Sequence, residues 1–172
     1  MTTARTAISP AQMRSTLGRF CTGVTVVTTA DAESDEVHAM TANAFTSVSL
    51  DPPLVLVSID HRTRMHRMLP ATRRYGVSVL AADQERIALH FAGRPLNGHG
   101  ELFEWNGNVP FVRGAVAHVG CTLHDMHEAG DHTLYLGRVE HLESRPGNPL
   151  LFHLGTFGQM SNEEAIAQSW GW

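Results

Sequence analysis

Three stretches of the chain hold side chains suited to chemistry. The first is Met40-Thr41-Ala42-Asn43-Ala44-Phe45-Thr46-Ser47-Val48-Ser49-Leu50-Asp51-Pro52-Pro53. Its small hydroxyl and amide side chains put donors and acceptors close to the backbone, and small residues let the main chain approach a flat ring. The second is Ser58-Ile59-Asp60-His61-Arg62-Thr63-Arg64-Met65-His66. It leaves an apolar run and enters a short helical pattern, so hydroxyls, N–H groups and cations gather as they do at anion sites. The third is Gly130-Asp131-His132, at a turn between two apolar runs. A histidine there can donate to a planar ligand or stack beside it.

Each stretch also has a plainer reading. The first could be a polar edge strand or a pair of turns. The second could be a solvated basic loop. In the third, Gly130 and Asp131 could serve the turn while His132 merely starts a strand. Taken together, the three match a flavin and a nicotinamide. The isoalloxazine edge alternates N3–H, O2, O4 and N5, which Thr41, Asn43 and Ser47 could meet. The flavin phosphate would suit Ser58, Thr63, Arg62 or Arg64. His132 would orient the nicotinamide carbon toward flavin N5. Hydride transfer between two bound rings needs stacking, orientation and exclusion of water rather than a general acid.

These segments need a scaffold, and the pattern predicts one rich in strands. Ser9 N-caps a first helix, with Pro10 at its first position and Gln12 completing a capping box. Ile8 can staple against Met13, and Met13, Leu17 and Phe20 share a face. Gly23 ends this segment. Strands are then expected at Val24–Thr29, Val37–Met40, Leu54–Ile59, Tyr75–Leu80, Ala115–His124, Thr133–Leu142 and Leu150–Leu154. A polar turn falls at 30–36, and Glu128–Asp131 turns the chain between the two long strands. Asp51-Pro52-Pro53 fixes the approach angle of the Leu54 strand. A short helix at Arg64–Leu69 is stopped by Pro70, and another runs from Gln84 to Phe91 with Asp83 as N-cap. Residues 93–107 read as a glycine-rich loop, and Glu163–Gln168 as a short terminal helix. Many closely spaced strands with few helices indicate a closed or nearly closed antiparallel barrel. There is no β-helix-β alternation and no G-x-G-x-x-G after a strand, so a Rossmann domain is disfavoured.

The 172 residues suit one domain, 1–172, with its core over about 13–158. With 42% hydrophobic and 17% charged residues the chain can pack a core. A net charge of -4 and no basic patch argue against nucleic acid or an anionic membrane as partner. No run spans a bilayer, and Met1–Arg5 lacks a signal peptide's apolar stretch, so the expected compartment is the cytosol. Cys21 and Cys121 are expected to be free, buried core thiols. The spacing Cys121, His124, His127, His132 raises a metal site. A strand would put His124 on the face opposite Cys121 and His127, which argues against one metal collecting them.

The chain resembles the flavin reductase family, the short-chain reductase components of two-component flavin-dependent monooxygenases. The resemblance rests on an ordered set of motifs: Gly23-Val24-Thr25-Val26-Val27-Thr28-Thr29, Thr41-Ala42-Asn43 through Pro53, Leu56-Val57-Ser58-Ile59, Tyr75-Gly76-Val77-Ser78-Val79-Leu80, Phe91-Ala92-Gly93, Gly130-Asp131-His132 and Pro149-Leu150-Leu151-Phe152. It implies a mainly β fold, the FMN-binding split barrel (antiparallel, Greek-key) with a few short helices, and a homodimer with flavin at the subunit interface. The implied cofactors are FMN or FAD with NADH, or NADPH as the alternative. The implied partner is a flavin-dependent oxygenase or halogenase reached by diffusing reduced flavin. By resemblance the flavin contacts are Met40, Thr41, Ala42, Asn43, Ala44, Ser47, Val57, Ser58, Ile59, Arg62, Thr63, His66, Phe91 and Ala92. His132 is the catalytic residue and meets NADH with Phe152 and Phe157. The chain departs from the family in having no Lys in the loop Arg94–Gly100, and in reading His153-Leu154-Gly155-Thr156-Phe157 in the last-strand motif, where relatives commonly place Arg. No added cation singles out NADPH. A non-catalytic flavin or haem binder on the same fold is the alternative, and His132 favours turnover.

Overall fold

The computed structural model describes residues 7–31, 36–97 and 100–160. The terminal helix expected at Glu163–Gln168 and the middle of the 30–36 turn lie outside these residues.

The chain begins with α1 (Pro10–Leu17), β1 (Thr22–Gly23), β2 (Thr25–Ala30), β3 (Val37–Ala42), β4 (Phe45–Leu50) and β5 (Pro53–Asp60). There follow α2 (Arg64–Thr72), β6 (Arg74–Val79), α3 (Glu85–Phe91), β7 (Phe103–Asn106) and β8 (Val109–Val112). The last elements are β9 (Ala117–Ala129), β10 (His132–Ser144), β11 (Leu151–His153) and β12 (Thr156–Gly158). Seven strands form one antiparallel sheet in the order β3-β2-β6-β9-β10-β5-β4. Its two edges, β3 and β4, are consecutive in the chain and joined only by Asn43 and Ala44. A sheet whose edges are two residues apart must curl upon itself. Every strand therefore sends side chains into one interior: Val27, Met40, Phe45, Val57, Val77, Cys121 and Tyr135 among them. The result is a split barrel, open along the β3–β4 seam.

Local sequence explains the strands. In β2 the β-branched run is buried on both faces, with Val27 inside the barrel and Val26 in a second, outer cluster. Its threonines stay paired: Thr25 Oγ1 donates to the Ala42 carbonyl (2.6 Å), Thr29 Oγ1 to that of Arg74 (2.7 Å), and Thr28 Oγ1 to that of Pro110. The outer cluster joins Val24, Val26, Leu80, Ala88, Val112 and Leu150 to aromatic residues from α3, β7, β11 and β12. No helix among the described residues is long and apolar enough to cross a membrane.

Several expectations are corrected. The capping box of α1 forms as read, with Gln12 N–H to Ser9 Oγ at 3.2 Å and Ser9 N–H to Gln12 Oε1 at 2.9 Å. Its apolar face, however, lies open: Ile8, Met13, Leu17 and Phe20 are all exposed, Phe20 at 77%. Periodicity gives a helix's apolar side without saying what covers it. Cys21, expected in the core, is exposed, while Cys121 is buried. Pro70 sits inside α2 instead of stopping it, and the helix ends at Arg73 with φ +54°. The bond that Pro70 cannot donate would go to the His66 carbonyl. That carbonyl instead accepts from the Tyr135 hydroxyl at 3.0 Å. The N-cap of α3 is Gln84 rather than Asp83, and its amide serves the loop by accepting from Ala81 N–H (3.0 Å) and donating to the Arg113 carbonyl (2.8 Å). The supposed loop 93–107 contains β7, which pairs with β8 around Gly107 at φ +55°. Residues 45–50, part of the small polar stretch, form edge strand β4. The strand expected at Leu150–Leu154 is the shorter β11, and a further strand, β12, pairs with it beyond the expected end.

Gly137 on β10 marks the tightest point of the interior. A Cβ there would run into the Tyr75 ring and hydroxyl and the Cys121 Cβ. Gly137→Ala is therefore expected to destabilise the fold by about 3 kcal/mol, the upper end for overpacking. Tyr75 keeps its hydroxyl in the core beside the Cys121 thiol, a weak acceptor, with no oxygen or nitrogen partner among the described residues, so Tyr75→Phe should change stability by no more than about 1 kcal/mol. Urea unfolding of the two variants checks both, and a Gly137→Ala midpoint equal to wild type would refute the packing argument.

Candidate functional site

The β3–β4 corner sets one wall. Asn43 and Ala44 are exposed there, held by Phe45, which turns into the barrel opposite Val57. The Ala44 carbonyl accepts from Ser58 N–H at 3.0 Å, tying the corner to β5. Thr41 Oγ1 donates to the Ala88 carbonyl of α3 at 2.7 Å, and Met40 and Ala42 pack against the barrel core. Ser47 is exposed just before a bulge, after which pairing with β5 resumes at Ser49. Along β5 the alternation is strict. Val57 and Ile59 are fully buried in the core, while Ser58 and Asp60 face outward. Val57 and Ile59 can meet a ligand only through their backbone.

Asp60 starts the turn into α2. Its carboxylate accepts from Arg62 N–H (2.8 Å), Nε (3.0 and 3.1 Å) and Nη2 (2.6 Å). The hydrogen bonds from Arg62 hold the Asp60 carboxyl well below the usual carboxylate range. Thr63 caps α2: its Oγ1 accepts from His66 N–H at 3.2 Å and donates to the Asp60 carbonyl at 2.8 Å. Arg64 pairs with Glu36 at 2.9 Å. Of the groups expected at a phosphate, Arg62, Thr63 and Arg64 are thus already engaged, and Arg62 reaches one only by leaving or sharing Asp60.

The opposite wall is the β9–β10 hairpin. Strand β9 continues to Ala129, so the turn is only Gly130–Asp131, with Gly130 at φ +69° leading the tight turn. This corrects the four-residue turn and places Glu128 directly opposite Thr133. His132 lies across from Asp60 on β5. Its Nδ1 is 2.7 Å from Asp131 Oδ1. A carboxylate only accepts, so Nδ1 carries a proton, and in the neutral ring Nε2 is then the acceptor. The same hydrogen bond lowers the Asp131 carboxyl below its ordinary value.

Sequence reasoning missed the groups that hold this hairpin to the turn. His61 Nε2 lies 3.0 Å from Glu128 Oε2 and 3.1 Å from Thr133 Oγ1. Thr133 Oγ1 donates to Glu128 Oε1 at 3.0 Å, and His61 N–H to the Asp131 carbonyl at 3.1 Å. The His61 and His66 rings are 4.8 Å apart, and His66 Nδ1 is 2.7 Å from the Tyr135 hydroxyl. A two-residue turn, had it been assumed, would have shown the Glu128–Thr133 pair.

The structure therefore puts Ser58, Asp60 and His132 on the outward side of β5 and β10, with the Asn43–Ala44 corner bonded to Ser58 and Arg62 on Asp60, while His66 sits with Tyr135 on the inward side. It puts Phe91, Phe152 and Phe157 elsewhere, in the outer cluster, with Phe152 and Phe157 centroids 5.3 Å apart and Ala92 exposed beside it. As for the metal spacing, Cys121 lies in the core with its thiol pushed up to about 12 by burial, His124 is exposed, and His127 pairs with Asp125 at 3.2 Å. Among the described residues no three His, Cys, Asp or Glu side chains converge for a metal.

Comparison with known proteins gives this arrangement its class. Residues 17–161 match the family described as the flavin reductase like domain. An NADH-dependent flavin reductase of Rhodococcus sp is 53% identical over 151 residues, 87% of this chain and 86% of that protein. An NADH-dependent FAD reductase of Streptomyces globisporus is 44% identical, covering 74% of this chain and 72% of its own. Among solved structures, flavin reductase PheA2 superposes with TM-score 0.84 at 39% identity, over 90% of this chain and 99% of that one. The Streptomyces globisporus NADH:FAD oxidoreductase SgcE6 in complex with NAD and FAD fragments gives 0.83 at 38% identity, over 93% and 99%. The chain belongs to the flavin reductase-like family, whose class of reaction is the NAD(P)H-dependent reduction of flavin.

The two depressed carboxyls set a pH signature. A lowered folded value means that Asp60 and Asp131 support the folded hairpin and turn at neutral pH, and that this support is lost as pH falls below the ordinary carboxylate value of about 3.9. Carboxyl-carbon NMR titration should find both midpoints below about 3.9, with that of Asp131 rising in His132→Ala. Midpoints at or above that value would contradict the pairing.

Proposed function

We propose that this chain reduces free FMN or FAD with NADH and releases the reduced flavin to a separate flavin-dependent oxygenase or halogenase. The observation that carries this reading is the shared outer face of β5. There the small-residue corner Asn43–Ala44 is bonded to Ser58, and His132 stands opposite Asp60 on the same strand. A flat ring can lie against the corner, which offers amide and backbone groups and no bulky side chain. Bound flavin supplies the chemistry by accepting the hydride of NADH at N5. The residues of the chain bind and orient. Asp131 keeps His132 in the tautomer with a free Nε2 lone pair, which accepts from the carboxamide N–H of the nicotinamide. Ser58 and Thr41 line the ring side, and Arg62, released from Asp60, meets the phosphate.

The functional unit in this proposal is a homodimer. Phe152 and Phe157 lie in the outer cluster and not with His132, so a second copy would have to bring such an aromatic wall to the site. The exposed Phe20 and Leu50, at 77% and 78%, fit a covered face. The two free cysteines fit a reducing compartment such as the cytosol.

Purified protein mixed with NADH should lose absorbance at the NADH band only when FMN or FAD is added. His132→Ala should raise KM for NADH about tenfold, the worth of one well-placed hydrogen bond, and change flavin affinity less. No NADH oxidation with either flavin would reject the function. A collapse of flavin affinity with an unchanged KM for NADH would reject the role of His132.

A further inference from the structure

We propose that the cleft between the parting ends of β2 and β6 and the turn of the β7–β8 hairpin is a ligand site apart from the flavin face, taking a small aromatic monocarboxylate that stacks on Trp105 and is held by Arg74.

The cleft exists because two strands part. Strands β2 and β6 pair from Thr25–Val79 to Thr28–Gly76 and no further, although β2 runs on to Ala30 and β6 starts at Arg74. Thr29 fills the inner side of the gap, its Oγ1 donating to the Arg74 carbonyl at 2.7 Å. Alternation puts Ala30 and Arg74 on the outer side. The hairpin hangs over them. Thr28 Oγ1 bonds the Pro110 carbonyl, and Pro110 is the register partner of Trp105. Next to Pro110, Phe111 lies so close to Gly76 that a Cβ there would meet its ring at 2.9 Å. The hairpin is thus fixed by its middle, and its Gly107–Asn108 turn reaches out beyond the last β2–β6 pair. The space enclosed is about 740 Å³. Small-molecule sites run from roughly 300 to 1,000 Å³.

The lining supplies two groups with nothing to bind. Trp105 is 46% exposed and meets no other ring among the described residues. The Arg74 guanidinium makes no ion pair or hydrogen bond among them either, whereas Arg62, Arg64, Arg113 and Arg145 are all paired. A planar fork with parallel N–H donors matches one carboxylate, and an indole face matches an aromatic ring. An aromatic carboxylate carries both partners in one small molecule. Asp31 also lines the cleft, and its charge opposes a dianion such as a phosphate monoester. One negative charge is what the lining tolerates. The cleft lies away from Ser58 and His132: β9 stands between β6 and β10 in the sheet, and α2 contributes its last residue, Thr72, rather than the Thr63 end.

The test follows the Trp105 indole N–H by nitrogen-15 NMR, its signal assigned with Trp170→Phe and Trp172→Phe in the full chain. Benzoate should shift it saturably. Benzamide, which lacks the charge, and cyclohexanecarboxylate, which lacks the aromatic ring, should each bind about tenfold more weakly. Arg74→Gln should bring benzoate down to the benzamide level, and Arg74→Lys, which keeps the charge without the fork, should recover only part of the loss. Saturation transfer to the benzoate protons should survive Trp105→Phe and vanish in Trp105→Ala. Added FMN should leave the benzoate affinity unchanged. No saturable shift at millimolar benzoate would overturn the site, and a cleft closed by a second copy of the chain would give that result. Equal affinities for benzoate and benzamide would overturn the role of Arg74, and displacement of benzoate by FMN would overturn its separation from the flavin face.

Discussion

The constraint on which the rest depends is the two-residue join between β3 and β4. Because Asn43 and Ala44 connect the two edges of one seven-stranded sheet, that sheet cannot stay open and flat. Its curl encloses Val27, Val57, Ile59, Tyr75, Val77 and Tyr135, each essentially without solvent contact. Burial of each such side chain stabilises by roughly 1.5–3 kcal/mol relative to exposure. The same curl creates the corner itself, a place where small residues and backbone groups are exposed at the seam. Core formation and site formation are therefore one event, and Phe45, anchored inside opposite Val57, links them.

The second feature is how the β9–β10 hairpin is held over the start of α2. Pairing along β10 and β5 brings His132 level with Asp60, but a hairpin tip is normally the loosest part of a sheet. Here the tip is fastened at three heights. The His61 N–H bonds the Asp131 carbonyl, the His61 ring bonds Glu128 and Thr133, and Tyr135 bonds His66. Exposed ion pairs contribute little each, and the Glu128 side chain is 69% exposed. The shared hydroxyl of Thr133, which is fully buried, and the backbone bond give the contact its fixed geometry.

Much of this was legible in the chain, for physical reasons that also mark the limit. The Ser9–Gln12 capping box and the β2 and β5 runs depend on neighbours within a few residues, and they formed where the pattern put them. The β7–β8 hairpin was also local, with Asn106-Gly107 as its turn signal, but Pro110 and the nearby glycines disguised it. Asn43, Ser58 and His132 could be named by type, and Ser58 and His132 both face outward on paired strands. The groups that orient them could not. Tyr135 meets His66 across 69 residues, and His61 meets Thr133 across 72. Such pairings depend on register, and misplacing the hairpin turn by two residues hides them. Cys21 and the α1 face were misread because amphipathic spacing predicts an apolar side and is silent on its partner.

The electrostatics of the site bear on how tightly it would hold its ligand. At the head of α2 both arginines are already paired, Arg62 with Asp60 and Arg64 with Glu36, and the Thr63 hydroxyl is used twice. An incoming phosphate must compete with a carboxylate for Arg62, so part of its attraction offsets the loss of an existing ion pair. A site built for a resident cofactor gains from open cations. One that takes flavin as a substrate and lets it go gains from cations that have somewhere else to bind. In the proposed binding mode the exposed Asp60 carboxylate stays beside Arg62 as a weak alternative partner, which accords with a flavin that is bound and then released.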